Sequence, residues 1–124
     1  MSDRSFDLEN RLIDFGVMIT TIAESLPSSK TGSYIANQMI RSGLSPALNY
    51  GEARSAESIQ DFIHKMKISL KELRETNVSL QIIKRKPLLQ NQTKLNLVID
   101  ECNELISIFV TSIKTAEKNS KTKK

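Results

Sequence analysis

The stretch LENRLIDFGVMITTIAESL, residues 8–26, decides the fold because its large apolar residues recur at alternating steps of four and three. On a helix this spacing forms one apolar stripe, which is typical of helices that cross at a shallow angle. The stripe comprises Leu8, Leu12, Phe15, Ile19, Ile22 and Leu26. We expect Ile13 and Val17 to widen this apolar face. The pattern predicts a first helix over residues 6–26 that packs within a helical bundle.

Three more helices follow from the same periodicity. In the second, residues 33–53, the missing N–H and the bulky ring of Pro46 predict a kink or a short break. The third, residues 56–86, is predicted to begin after an N-cap at Ser55 and to stop before Pro87. The fourth, residues 91–116, carries two apolar seams. It is therefore expected to pack on two neighbours or to offer part of its surface to another subunit.

These segments predict an all-α fold, an antiparallel up-and-down four-helix bundle. We expect one domain over residues 1–116 and a basic, flexible C-terminal tail over residues 117–124. At 1.5 Å per residue the third helix would be roughly 46 Å long. It would overhang its shorter partners, which favours assembly into an oligomer.

The charge of the chain is concentrated at its C-terminal end. The net charge is +4, yet residues 1–110 contain 13 basic and 13 acidic side chains, so the excess lies in residues 111–124. Such a lysine-rich end either contacts phosphates or is a solvated terminus. The N-terminus has no signal-peptide pattern and no apolar run is long enough to span a bilayer, so we expect a cytoplasmic protein with no membrane partner.

Residues for catalysis or metal binding are not grouped in this sequence. His64 is the only histidine and Cys102 the only cysteine. We expect a surface or boundary position for His64 and a core position for Cys102. Asp100, Glu101 and Glu104 cluster on the fourth helix, and Asp100 and Glu104 are expected to form a solvated face or to pair with a lysine. The sequence therefore predicts a protein that is not an enzyme, with no catalytic residues, no metal site and no cofactor.

Two sets of polar residues are candidates for function. The first, beside the predicted helix junction, is Asn49, Tyr50, Glu52 and Arg54, interpreted as a junction polar network or a subunit contact. The second supplies positive charge along the third helix and is a candidate for nucleic-acid contacts: Lys65, Lys67, Lys71, Arg74, Lys84, Arg85 and Lys86. We expect Asn49, Glu52 and Arg54 to fix the junction through one hydrogen-bonded network.

The block SGLSPALNYGEARSAESIQDFIHKMKISLKELRET, residues 42–76, resembles the four-helix bundle proteins encoded within intervening sequences of bacterial 23S rRNA genes. The likeness rests on Asn49-Tyr50, on Glu52-Ala53-Arg54-Ser55 and on residues 61–65. The resemblance implies a ring-shaped homo-oligomer, typically a homopentamer. Related proteins serve as accessory proteins of diversity-generating retroelements and bind nucleic acid and a reverse transcriptase.

Two functions remain open from the sequence. The first is an accessory protein that binds RNA or DNA through a basic ring surface, although the bundle itself is neutral. The second is a structural or scaffolding oligomer that binds a protein partner and has no affinity for nucleic acid. A salt titration separates them, because binding to phosphates weakens steeply with salt.

Overall fold

The computed structural model of the chain describes residues 4–122 as four α-helices joined by short loops. The helices are α1 (Arg4–Glu24), α2 (Lys30–Arg54), α3 (Ile59–Arg85) and α4 (Gln92–Thr122). In space, α1 packs on α2 and α4, and α3 packs on the same two helices. The predicted all-α four-helix bundle is therefore confirmed. Contact is sparsest between α1 and α4, so this edge of the bundle is the least closed.

The core is built from the predicted seams. Leu12, Phe15, Ile19 and Ile22 of α1 are buried, as are the seam residues of α4: Leu95, Val98, Cys102, Leu105 and Phe109. Ile13 and Val17, which were expected to widen the face of α1, remain exposed at 48% and 57%. Within this chain the apolar face of α1 is thus only partly covered.

Helix α2 runs without a break through Pro46, so the short break, one of the two predicted possibilities, is wrong. Pro46 is buried, and its carbonyl accepts a hydrogen bond from Ser69 Oγ at 3.2 Å. The helix also approaches α1 closely, since a Cβ on Gly43 would lie 2.4 Å from Ile19 Cγ2. A proline inside a helix costs about 3 kcal/mol. The packing of α2 on α1 and α3 offsets this cost.

The junction between α2 and α3 differs from the predicted one. Ser55 is the C-cap of α2, and its N–H donates to the carbonyls of Glu52 and Ala53. Ser58 is the N-cap of α3, because its hydroxyl accepts a hydrogen bond from Asp61 N at 3.0 Å. The expected cap at Ser55 is therefore wrong by three positions. Both serines have the short polar side chain that favours a cap, and sequence alone does not separate them.

The relative lengths of the helices also differ from expectation. Helix α3 has 27 residues, and α4 is the longest with 31. Helix α4 continues to Thr122, past position 117 where a flexible tail was predicted. Glu117 pairs with Lys67 at 3.1 Å, and Ser120 accepts a hydrogen bond from Gln60 at 3.2 Å. These contacts hold the end of α4 against α3; residues 123–124 lie outside the described residues. The overhang of α3 therefore no longer supports assembly.

Candidate functional site

The polar residues near the end of α2 make three separate contacts. Asn49 donates from Nδ2 to the carbonyl of Ser45 at 3.1 Å and to its hydroxyl at 2.8 Å, within α2. Lys65 Nζ of α3 lies 2.5 Å from Glu52 Oε1. None of the described hydrogen bonds of Asn49, Glu52 and Arg54 joins two of these three residues. Within these described hydrogen bonds the three side chains do not form the expected single network, and each has its own partner.

Arg54 connects α2 to α1 rather than to α3. Its Nη1 lies 2.8 Å from Glu9 Oε1, and both side chains are more than a third exposed. Together with the Glu52–Lys65 pair, this contact ties the end of α2 to both neighbouring helices. The hydrogen bond that Lys65 donates to Glu52 is the main cause that raises the pKa of Lys65, and the negative charge of Glu52 adds to it.

Tyr50 belongs to the core instead of the polar surface. It is buried, and its ring meets Phe109 edge-on with the ring centroids 6.0 Å apart. Edge-to-face aromatic pairs of this kind are favourable beyond the area that they bury. The residue therefore joins α2 to α4 across the bundle.

The seven basic residues singled out along α3 divide into paired and unpaired groups. Lys65 and Lys67 are engaged with Glu52 and Glu117. The other five are exposed and take part in no ion pair within residues 7–121: Lys71, Arg74, Lys84, Arg85 and Lys86. Lys84, Arg85 and Lys86 lie together at the end of α3.

A groove of about 520 Å³ runs between α3 and α4. Its floor is apolar and is formed by Leu70, Val110 and Ile113. Its rim is basic and consists of Lys67, Lys71, Arg74 and Lys114, with Glu117 beside Lys67. Lys114 comes from α4 and was not singled out in the sequence. Lys114 follows Val110 by four residues, so the sequence places the two side chains on the same side of α4. Only the packing of α3 on α4 brings Lys114 to this groove.

A larger cleft of about 1270 Å³ opens where α1 and α4 diverge. Leu8, Ile59, Phe62 and Met66 are among its apolar residues, and Ser107, Thr111, Ser112 and Thr115 line it from α4. Arg11, at its edge, donates to Glu101 at 2.7 and 3.0 Å and to Glu104 at 3.2 Å. Glu101 and Glu104 therefore pair with an arginine of α1, whereas a solvated face or a lysine partner was expected for Glu104.

Two ion pairs between α2 and α3 also escaped sequence analysis. Arg41 pairs with Glu72 at 2.8 Å and also with Glu75. Glu72 is almost fully buried at 9% exposure, whereas Arg41 is exposed. The i, i+3 spacing of Glu72 and Glu75 was visible in the sequence, but their partner is 31 residues away from Glu72 and follows only from the fold.

His64 is exposed and Cys102 is fully buried, as the sequence predicts. Burial raises the pKa of the Cys102 thiol to about 12, and the negative charge of Glu101 adds to this effect. Within residues 4–122, no group of three or more His, Cys, Asp or Glu side chains is placed to hold a metal ion. Over the same part of the chain, no helix has the length and apolar character needed to cross a bilayer.

Comparison with known proteins identifies a family and a similar solved structure. A family model described as 23S rRNA-intervening sequence protein matches residues 4–111. The structure of a protein of unknown function from the S23 ribosomal protein family of Bacteroides thetaiotaomicron VPI-5482 is similar, with 26% sequence identity and a TM-score of 0.81. The match covers 90% of this chain and 99% of that chain. No curated protein matches the chain.

Proposed function

Because the chain belongs to the 23S rRNA-intervening sequence protein family, we propose that it is a non-enzymatic, oligomeric accessory protein that binds RNA or DNA. The observation that carries this proposal is the basic rim of the α3–α4 groove. Lys71, Arg74 and Lys114 surround it and have no ion-pair partner within the described side chains. Unpaired cations are available to phosphates, whereas paired ones must first release a carboxylate.

The end of α3 adds to this basic surface. Lys84, Arg85 and Lys86 are consecutive, exposed and also without ion pairs in the described chain. Assembly into an oligomer multiplies every such group, which compensates for a net charge of only +4 per chain. A local cluster can attract an anionic ligand even when the rest of the surface is neutral.

The proposal is tested by the affinity for a fluorescent, mixed-sequence single-stranded RNA across a salt series. The Lys71→Gln/Lys114→Gln variant is expected to bind more weakly, and its log–log salt slope should fall by about 0.7 per lost phosphate contact. The matched control is Lys65→Gln/Lys67→Gln, which removes the same charge from cations that already have partners. Light scattering shows whether the variants keep the assembly of the wild type.

No affinity of the wild type for RNA or duplex DNA at low salt contradicts nucleic-acid binding. An equal loss of affinity in both double variants contradicts the assignment of binding to the basic rim of the groove. The first outcome leaves the second candidate function, a scaffolding oligomer that binds a protein partner. The specific observation in its favour is the exposed apolar surface of α1 and α2, which has no use in phosphate binding.

A further inference from the structure

The outward side of the α1–α2 pair carries a continuous apolar patch. Ile13 and Val17 of α1 and Leu44 and Leu48 of α2 are between 39% and 70% exposed. A Cβ on Gly16 would lie 3.0 Å from Leu44 Cδ2, so Leu44 covers Gly16 between the two apolar residues of α1. These four side chains are named the α1–α2 face. Contiguous exposed apolar patches on a soluble protein mark interaction sites.

Gly51 leaves room for a group from outside the chain beside this surface. It follows Leu44 and Leu48 at helical spacing, so it lies on the same side of α2. A Cβ at Gly51 would meet nothing within 4 Å. Alanine would therefore fit within the chain and would stabilise the helix, since glycine is unfavourable inside helices. A bare backbone at this point allows close approach by a group from outside the chain.

The chain itself carries a surface complementary to the α1–α2 face. Val78 and Ile82 lie one turn apart on the exposed side of α3 and form an apolar ridge. Helices α1 and α3 do not pack on one another, so face and ridge lie on different sides of the bundle. Ridges of i, i+4 side chains pack into the grooves of neighbouring helices.

The charges beside the two surfaces are opposite. Asp14 and Glu24 are exposed on α1 near the face, and Arg74 and Arg85 are exposed one turn before and after the ridge. None of these four side chains forms an ion pair in the described part of the chain. Contact between two copies would bring acidic groups towards basic ones, and such complementarity selects the partner and its orientation.

We infer that the α1–α2 face of one copy packs against the Val78–Ile82 ridge of a second copy. The inference rests on the oligomeric part of the proposed function and names its contact surfaces.

The contact uses a different surface on each copy. After two copies join, one retains an unused face and the other an unused ridge, so the contact can repeat and forms a ring when the rotation between copies closes. Arg74 and Arg85 then serve the contact between copies. Lys71, Lys84, Lys86 and Lys114 stay available to phosphate.

Three substitutions to glutamate at exposed apolar positions test the contact by light scattering after size-exclusion chromatography. Leu48→Glu places a negative charge in the α1–α2 face, and Val78→Glu places one in the Val78–Ile82 ridge. Tyr34→Glu is the control, because Tyr34 is similarly exposed on α2 but lies ten residues, about 15 Å, before Leu44. We expect the first two variants to be monomers and the control to assemble like the wild type.

Mixing the two monomeric variants is the decisive experiment. Each retains one intact surface, so an equimolar mixture should form a one-to-one dimer that does not grow further. Circular dichroism verifies that each variant is folded, and Val17→Glu replaces Leu48→Glu if the latter is not. Gly51→Ala is expected to lower the assembled fraction although it favours the helix.

Assembly of Leu48→Glu or Val78→Glu at wild-type mass overturns the inferred contact and leaves the oligomeric proposal intact. A mixture that remains monomeric also overturns it. A wild type that is a monomer at micromolar concentration overturns both the inferred contact and the proposed oligomer. Nucleic-acid binding is then tested separately by the RNA titration.

Discussion

Thr76 Oγ1 and Ser42 Oγ are hydrogen-bonded at 2.8 Å in the buried contact between α2 and α3. Thr76 Oγ1 also lies 2.9 Å from the carbonyl of Glu72. Both side chains are fully buried. The two hydroxyls satisfy each other, and small side chains at this level allow the helices to pack closely.

Removing one hydroxyl of this pair should cost more than removing both. Thr76→Val keeps the shape of the side chain but leaves Ser42 unsatisfied, and we expect a loss of about 1–3 kcal/mol in the free energy of unfolding. Ser42→Ala/Thr76→Val should recover part of that loss. Urea denaturation of the two single variants and the double variant measures the coupling; strictly additive losses would contradict it.

Asn77, unlike Thr76 and Ser42, has a buried polar atom without a hydrogen bond in the described chain. Its Oδ1 is buried and makes no hydrogen bond within the described residues. Replacement by leucine, which has a similar size, should raise the free energy of unfolding by about 1 kcal/mol, because the buried unsatisfied oxygen is removed. Thermal and urea unfolding test this, with Thr76→Val as the comparison. A clear decrease in stability for Asn77→Leu would show that the oxygen has a partner.

Gly43→Ala should destabilise the protein because the added Cβ would lie 2.4 Å from Ile19 Cγ2. Overpacking of this kind costs about 1–3 kcal/mol. The matched control is Gly51→Ala, which meets nothing within 4 Å and should gain about 0.5–1 kcal/mol. Both are measured by urea unfolding in the Leu48→Glu background, where assembly is not expected to contribute. Equal effects at the two glycines would contradict the close packing of α1 on α2.

The Cys102 thiol should make stability fall at alkaline pH. Burial raises its pKa to about 12 from an ordinary value of 9.0, so between these values the unfolded chain loses a proton that the folded chain retains. With fewer protons bound in the unfolded state, the free energy of unfolding falls as pH rises, by at most about 1.4 kcal/mol per pH unit. The loss is confined to pH values above 9 and is complete near the folded pKa of about 12.

Unfolding experiments from pH 8 to 10.5 on the wild type and on Cys102→Ala isolate this contribution. The wild type should lose more stability over that range than the variant. A thiol-specific reagent at pH 8 should also modify Cys102 slowly in the folded protein and rapidly in urea. Fast modification without denaturant would contradict a buried, protonated thiol.

The ion pair of Arg41 with Glu72 should matter more than the pair of Glu52 with Lys65. Arg41→Met leaves the nearly buried Glu72 carboxylate without its partner, and we expect a loss of about 1–2 kcal/mol, reduced by the exposure of Arg41 itself. Glu52→Ala removes an exposed pair, which solvent screens, and should cost less than Arg41→Met. Urea unfolding measures the loss in the free energy of unfolding for each variant. A larger loss for Glu52→Ala would show that the polar residues near the end of α2 contribute more to stability than the Arg41–Glu72 pair.

Local pattern was sufficient to predict where helices exist. The alternating spacing from Leu8 to Leu26 gave the buried stripe of α1, and Pro87 correctly indicated where α3 ends. The same kind of reasoning failed at Pro46 and at Ser55. Whether a proline interrupts a helix, and which of two nearby serines caps the next one, depends on the packing of neighbouring helices that a local window does not contain.

The sequence by itself determined a four-helix bundle with a cysteine in its core and a histidine at its surface, because helical periodicity and burial preferences act over a few residues. Only the tertiary structure decided that Arg11 meets Glu101, that Arg41 meets Glu72, and that Lys114 joins the α3 cations. It also decided that Ile13 and Val17 remain uncovered. These features depend on which helix faces join, and that choice brings together side chains that are far apart along the chain.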